Sequence, residues 1–143
     1  YQVVLSVGSQ VDIKQLEEYV TKSKSENKAQ FHVLTYVDQI AVLEKADVFL
    51  THCGMNSVSE ALYFKVPLVM YPQTNEQKGV AFRVNELEAG LYLGGDSISE
   101  IQIALKELLQ QSKYKERATV ISNSFSKCGG SKAAVEKILE VCF

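Results

Sequence analysis

Ala46-Asp47-Val48-Phe49-Leu50-Thr51-His52-Cys53-Gly54-Met55-Asn56-Ser57-Val58-Ser59-Glu60-Ala61-Leu62 is the stretch on which the fold turns. It reads as a buried strand that ends in a polar, glycine-containing turn and enters a helix carrying a carboxylate one turn in. Such a strand-turn-helix can hold an anionic phosphate and the sugar attached to it.

The same alternation continues on both sides. Gln2 to Val7 is a short apolar run that stops at Gly8-Ser9-Gln10. Asp12 can cap a helix through about Lys24, with Ile13, Leu16 and Val20 on its apolar face and Tyr19 alongside. Ser23 to Lys28 reads as a polar loop and Phe31 to Leu34 as a second strand. A short helix over Ile40 to Lys45, a third strand at Val48 to Thr51, and a helix from about Asn56 to Phe64 follow. Pro67 to Tyr71 is a fourth strand, Glu76 to Glu88 a helix ending at Gly90, and Leu91 to Leu93 a fifth strand. From Ser97 onward the pattern is helical: a helix opening at Ser97, another over Lys113 to Ser126, and a third over Lys132 to Val141. Strands alternating with helices predict βαβ units, hence one α/β domain: a Rossmann-like, doubly wound parallel sheet with helices on both faces, spanning residues 1–143.

Composition excludes several classes. With 46% hydrophobic and 22% charged residues the chain is an ordinary globular domain rather than a disordered one. The net charge of −2, with dispersed lysines, argues against nucleic acid and gives no indication of membrane contact. Apolar runs are too short for a transmembrane helix. Three cysteines without CxxC spacing point to a reduced, cytoplasmic setting. The chain opens inside an apparent strand with no initiating Met, so it is read as an excised piece of a longer protein, with a processed natural subunit as the alternative.

Ligands of open parallel sheets bind at the carboxyl ends of the strands. Gly8-Ser9-Gln10, Thr35 to Gln39, His52 to Ser57 and Gln73 to Gln77 all fall at such ends, which predicts one shared rim. In the third grouping, Gly54 would let the backbone approach a ligand, and Asn56 or Ser57 would sit in the first helical turn beside free N–H groups. His52 could add a hydrogen bond or partial positive charge to a diphosphate. Glu60, one turn past Asn56, suits the two hydroxyls of a ribose. The bland reading of the same residues is a capped helix, with Asn56 or Ser57 as cap and Glu60 completing a capping box. Ser9 could offer its hydroxyl to a phosphate, although a plain turn fits as well. Tyr36, Val37 and Gln39 offer an aromatic face, a backbone edge and an amide to a planar base. Glu76 and Gln77 supply an acid and an amide suited to sugar hydroxyls, or simply begin a helix. His32 and His52 are the only histidines, no His/Cys cluster has ligand spacing, and no Asp-x-Asp pair exists to hold a divalent ion. No metal and no cofactor are therefore expected. Cys53 reads as a buried structural thiol.

These residues in this order resemble the nucleotide-sugar signature of the UDP-glycosyltransferases, including macrolide and glucuronosyl-type members. The resemblance is carried by Tyr36-Val37-Asp38-Gln39, His52-Cys53-Gly54-Met55-Asn56-Ser57, Glu60-Ala61-Leu62 with Val66-Pro67, and Glu76-Gln77 with Arg83-Val84. It implies the C-terminal, donor-binding half of a GT-B fold, the other half being an N-terminal acceptor domain of the same protein that carries the catalytic base. By resemblance, uracil would lie against Tyr36 and Val37, with Gln39 near base or ribose and Glu60 on the ribose. His52, Gly54, Met55, Asn56 and Ser57 would form the diphosphate segment, with Ser9 assisting, and Glu76 and Gln77 would contact the sugar. The implied activity is inverting, metal-independent transfer from a UDP-sugar to a small-molecule or lipid hydroxyl. This domain would stabilise the UDP leaving group through His52, Asn56 and Ser57, and would be inactive alone. Alternatives are a natural subunit of a split glycosyltransferase, another GT-B enzyme such as a lipid-linked GlcNAc transferase or UDP-sugar epimerase, or a non-catalytic UDP-sugar binding module. The chain departs from the usual pattern at Asp38 (commonly Pro), Lys65 and Glu88 (commonly Gly), Glu76 (commonly Asp) and Val80 (commonly Asn).

Overall fold

The computed structural model describes residues 1–23 and 30–142, so most of the expected polar loop from Ser23 to Lys28 lies outside the described residues. The chain divides into two compact units, Tyr1–Val42 and Leu43–Phe143.

The first unit contains β1 (Gln2–Ser6), α1 (Ile13–Ser23), β2 (Gln30–Leu34) and the start of α2 (Gln39–Leu43). Strands β1 and β2 pair in parallel, Gln2 opposite Gln30 through Ser6 opposite Leu34. Asp12 does cap α1, its Oδ1 accepting from Lys14 N at 3.0 Å. Asp38, which departs from the common Pro, acts in the same way at the start of α2, where its Oδ1 accepts from Ala41 N at 3.1 Å.

The second unit is built on β3 (Phe49–Thr51), β4 (Leu68–Met70) and β5 (Gly90–Tyr92), all parallel and in that order. Helices α3 (Met55–Tyr63) and α4 (Asn75–Glu86) make the crossovers, and α5 (Ile98–Gln110), α6 (Ser112–Ser126) and α7 (Gly130–Cys142) follow. The three residues of β4 are fully buried, and their pleat divides the core in two. Leu68 and Met70 pack with Val58, Ala61 and Leu62 of α3, Ala81 and Val84 of α4, and Ala118 of α6. Val69 points the other way, into a cluster with Leu93, Ala104 and Leu108 of α5, and Tyr114 of α6. Helices therefore cover both faces of this sheet.

Two crossovers end in the same device. After α3, Lys65 N donates to Leu62 O and Val66 N to Ala61 O; after α4, Glu88 N donates to Asn85 O and Ala89 N to Val84 O. These are Schellman closures, whose first residue beyond the cap is left-handed. Lys65 (φ 62) and Glu88 (φ 57) occupy that position, which explains why glycine is common there. Glu88 is held from outside by Arg117 of α6, with Nη2 at 2.8 Å and Nε at 3.1 Å from its Oε2.

Among the described residues the hydrogen-bonded strands form two parallel sheets, one in each unit. Each has its own carboxyl edge. Gly8-Ser9-Gln10 and Thr35 to Gln39 lie at that of β1 and β2, tied by Val7 N to Leu34 O at 3.0 Å. His52 to Ser57 and Gln73 to Gln77 lie at that of β3 and β4, tied by Tyr71 N to Thr51 O at 2.9 Å. Among the described residues, no helix is long and apolar enough to cross a membrane.

Candidate functional site

Strand β3 ends at Thr51, level with Met70 of β4, which is level with Tyr92 of β5. The chain must then reverse to start α3. It does so through Cys53, which is left-handed (φ 70) and has no exposed surface. The buried Thr51 hydroxyl accepts from Cys53 N at 3.2 Å, and the Cys53 thiol points back to Thr51 O at 3.8 Å. This side-chain clasp holds a conformation that a non-glycine residue rarely adopts. Burial raises the Cys53 pKa to about 11, so the thiol stays protonated and structural, as the sequence suggested.

The turn delivers His52, exposed, and then Gly54 as N-cap of α3. Gly54 has ordinary backbone angles (φ −59), so it is not required for conformational freedom. What a Cβ there would meet is His52, whose Nε2 would lie 3.1 Å away. The glycine leaves room for the imidazole to fold over the helix entrance.

Helix α3 starts without a side-chain cap and without an acidic residue in its first turn. The capped-helix reading puts the cap at Asn56 or Ser57; the N-cap is Gly54, and both residues lie inside the first turn. Val58 N already donates to Gly54 O at 3.0 Å, so the amides ahead of it, on Met55, Asn56 and Ser57, fall in the turn for which the helix supplies no carbonyl of its own. Met55 and Asn56 are exposed; Ser57 and Glu60 are half-buried.

The neighbouring crossovers differ. At α4, the Thr74 hydroxyl accepts from Gln77 N at 3.3 Å, while Gln77 Oε1 accepts from Gln73 N at 2.8 Å and Thr74 N at 3.1 Å. Glu76 adds a carboxylate to that first turn. At α5, Ser97 accepts from Glu100 N at 3.2 Å, and Glu100 lies in the first turn. Of the three helices that follow the three strands, α3 alone meets its dipole with no capping side chain of its own. Sequence reading overlooked Thr74, although Thr74-Asn75-Glu76-Gln77 has the T-x-x-Q spacing of a capping box.

In the first unit, Ser9 is exposed just after Gly8 (φ 69), Tyr36 is 81% exposed, Val37 is half-buried, and Gln39 opens α2. So the structure brings His52, Gly54, Met55, Asn56, Ser57, Glu60, Glu76 and Gln77 to one unit, and Ser9, Tyr36, Val37 and Gln39 to the other. A surface cavity of about 190 Å³ beside Leu93, Gly94, Glu100 and Glu107 shares no residue with either set. Among the described residues, no group of three or more His, Cys, Asp or Glu side chains could hold a metal.

Residues 10–127 match the family model described as UDP-glucoronosyl and UDP-glucosyl transferase. Over 142 residues the chain is 37% identical to a Bacillus subtilis protein described as uncharacterized UDP-glucosyltransferase YdhE, covering 98% of this chain and 34% of that one. It superposes on the glycotransferase of kitacinnamycin with a TM-score of 0.82 at 31% identity, over 96% of this chain and 34% of that chain. A variant of Os79 from O. sativa, solved in complex with UDP, gives a TM-score of 0.69 at 26% identity, over 83% and 28%. The α/β fold read from the sequence, half of a GT-B fold, is the one these proteins share with the chain. The chain spans about a third of the length of the curated relatives it matches.

Proposed function

The chain belongs to the UDP-glucoronosyl and UDP-glucosyl transferase family, and from that premise we propose that it is the donor-binding domain of an inverting, metal-independent glycosyltransferase. The observation that carries this reading is the uncapped, acid-free N-terminus of α3, with His52 at its entrance. A diphosphate there would accept from the amides of Met55, Asn56 and Ser57 and from His52, and would complete the cap that the helix lacks. Glu60, further along the same helix, would accept from the ribose hydroxyls. Tyr36, Val37, Gln39 and Ser9 keep the base and phosphate roles implied by the resemblance, each open to separate test.

The chemistry follows from where charge develops. As the sugar–phosphate bond breaks, negative charge grows on the departing UDP, and fixed N–H dipoles aimed at it stabilise the transition state more than the ground state. The helix terminus and His52 would do this work without a divalent ion. The acceptor hydroxyl must lose its proton to a base, which we assign to the acceptor domain of the full-length protein.

Calorimetric titration of UDP tests the reading. Glu60→Ala or His52→Ala should weaken binding roughly tenfold or more, about 1.4 kcal/mol each, with the thermal midpoint little changed. UDP affinity indifferent to both substitutions would contradict it.

A further inference from the structure

Among the described residues, Cys53, Lys65 and Glu88 are left-handed without being glycine. Lys65 and Glu88 stand where α3 and α4 end and the chain runs back into β4 and β5. The helix behind each takes its N–H: Lys65 N donates to Leu62 O and Glu88 N to Asn85 O. Cys53 stands at the opposite, carboxyl edge of the sheet, ahead of a helix, so no earlier helical turn offers it a carbonyl. The acceptor for its N–H is a side chain, the Thr51 hydroxyl at 3.2 Å.

Thr51 thereby joins this turn to the sheet. Its carbonyl accepts from Tyr71 N at 2.9 Å, just past β4, while its hydroxyl accepts from Cys53 N. Thr51 is buried and Cys53 has no exposed surface, so water does not replace the bond if the hydroxyl is lost. What the bond holds is a direction. The left-handed backbone at Cys53 makes Gly54 the N-cap of α3, and that start decides where the amides of Met55, Asn56 and Ser57 point. The same turn brings His52 over Gly54. A Cys53 returned to negative φ would carry the chain onward from β3 instead of reversing it, and those amides would point elsewhere.

We propose that Thr51 is a positioning residue of the diphosphate turn: by accepting from Cys53 N, its hydroxyl holds the left-handed backbone that aims the α3 amides and His52 at the ligand, without itself touching the ligand. The inference rests on the donor-binding function proposed above and adds to it the side chain that fixes the geometry.

The test is calorimetric titration of UDP into the full-length protein and its variants. Thr51→Val keeps the branched shape but removes the acceptor, and should weaken UDP binding by about tenfold. Thr51→Ser keeps the hydroxyl and should stay within roughly threefold of the parent. Glycine at residue 53 takes a positive φ without strain, so adding Thr51→Val to Cys53→Gly should cost less than about threefold. In that background the unpaired N–H lowers the thermal midpoint but not the affinity. Should Thr51→Val alone not fold, recovery of UDP binding in the double variant supports the clasp, and failure to recover overturns it. A hydroxyl that only stabilised β3 would lower the midpoint in both backgrounds and leave UDP affinity unchanged in Thr51→Val, which would overturn the proposal. So would equal losses in Thr51→Ser and Thr51→Val. Failure of the unmodified protein to bind UDP would instead overturn the donor-binding reading, and the proposal with it.

Discussion

The imidazole of His52 folds back over Gly54, with Nε2 3.1 Å from where a Cβ on residue 54 would stand. The two residues form one device, in which the glycine keeps the helix entrance clear and the histidine occupies it. Gly54→Ser separates stability from binding. Its hydroxyl would supply the missing cap, worth about 1 kcal/mol, while its Cβ would displace His52 and its oxygen would take an amide that we assign to phosphate. The expected result is an unchanged or raised thermal midpoint with UDP affinity down at least tenfold, measured by thermal melting and calorimetry on one preparation.

Lys65 and Glu88 hold equivalent left-handed positions but differ in what else they do. Lys65→Gly removes strain of about 1 kcal/mol and should raise the thermal midpoint by roughly 3 °C. Glu88→Gly removes the same strain but also the Arg117 ion pair, whose half-exposed side chains make it worth less than about 1 kcal/mol. Its midpoint should move less than that of Lys65→Gly. Thermal melting of the two variants beside the parent decides this.

The clasp at Cys53 predicts graded thiol chemistry. Cys53 is buried, whereas Cys128 and Cys142 are exposed. A thiol reagent at pH 8 should modify two cysteines quickly and the third only at the rate at which the native structure opens. Rapid modification of all three would contradict the buried turn.

Alkaline stability follows from the same burial. The Cys53 pKa is raised to about 11, and that of Tyr114 to about 12 by burial and by its hydrogen bond to the Glu107 carboxylate. Both groups hold their protons more tightly folded than unfolded. Below about pH 8 neither state is appreciably ionised at these sites and there is no effect. As pH rises through 9 the unfolded chain loses protons first, so stability falls, by about 2 kcal/mol for Cys53 alone once pH passes 11. Denaturation at pH 7, 9 and 10.5 should show this decline setting in near pH 9, and Cys53→Ala should make it shallower.

The strands and helices were legible in the sequence because each buried face repeats at its own period. The run Pro67 to Tyr71 reads as a strand, and in the structure Leu68 and Met70 face one core while Val69 faces the other. The entrance to α3 was harder to read. Asn56 and Ser57 are good caps by residue type, yet the helix starts ahead of them at Met55 because a left-handed Cys53 makes Gly54 the N-cap. Cysteine carries no signal for that conformation; the Thr51 hydroxyl that secures it is local geometry, not pattern. The opposite held at α4, where the T-x-x-Q spacing was present but Glu76 drew the reading to a later start.

The central claim is that UDP completes the cap of α3, and the backbone amide resonances of that turn test it most directly. Titration of UDP, followed by ¹H–¹⁵N spectra, should give saturable shifts largest at Met55, Asn56 and Ser57, together with the His52 side chain. Saturating UDP that leaves those amides unmoved, or moves only residues away from this turn, would contradict the account.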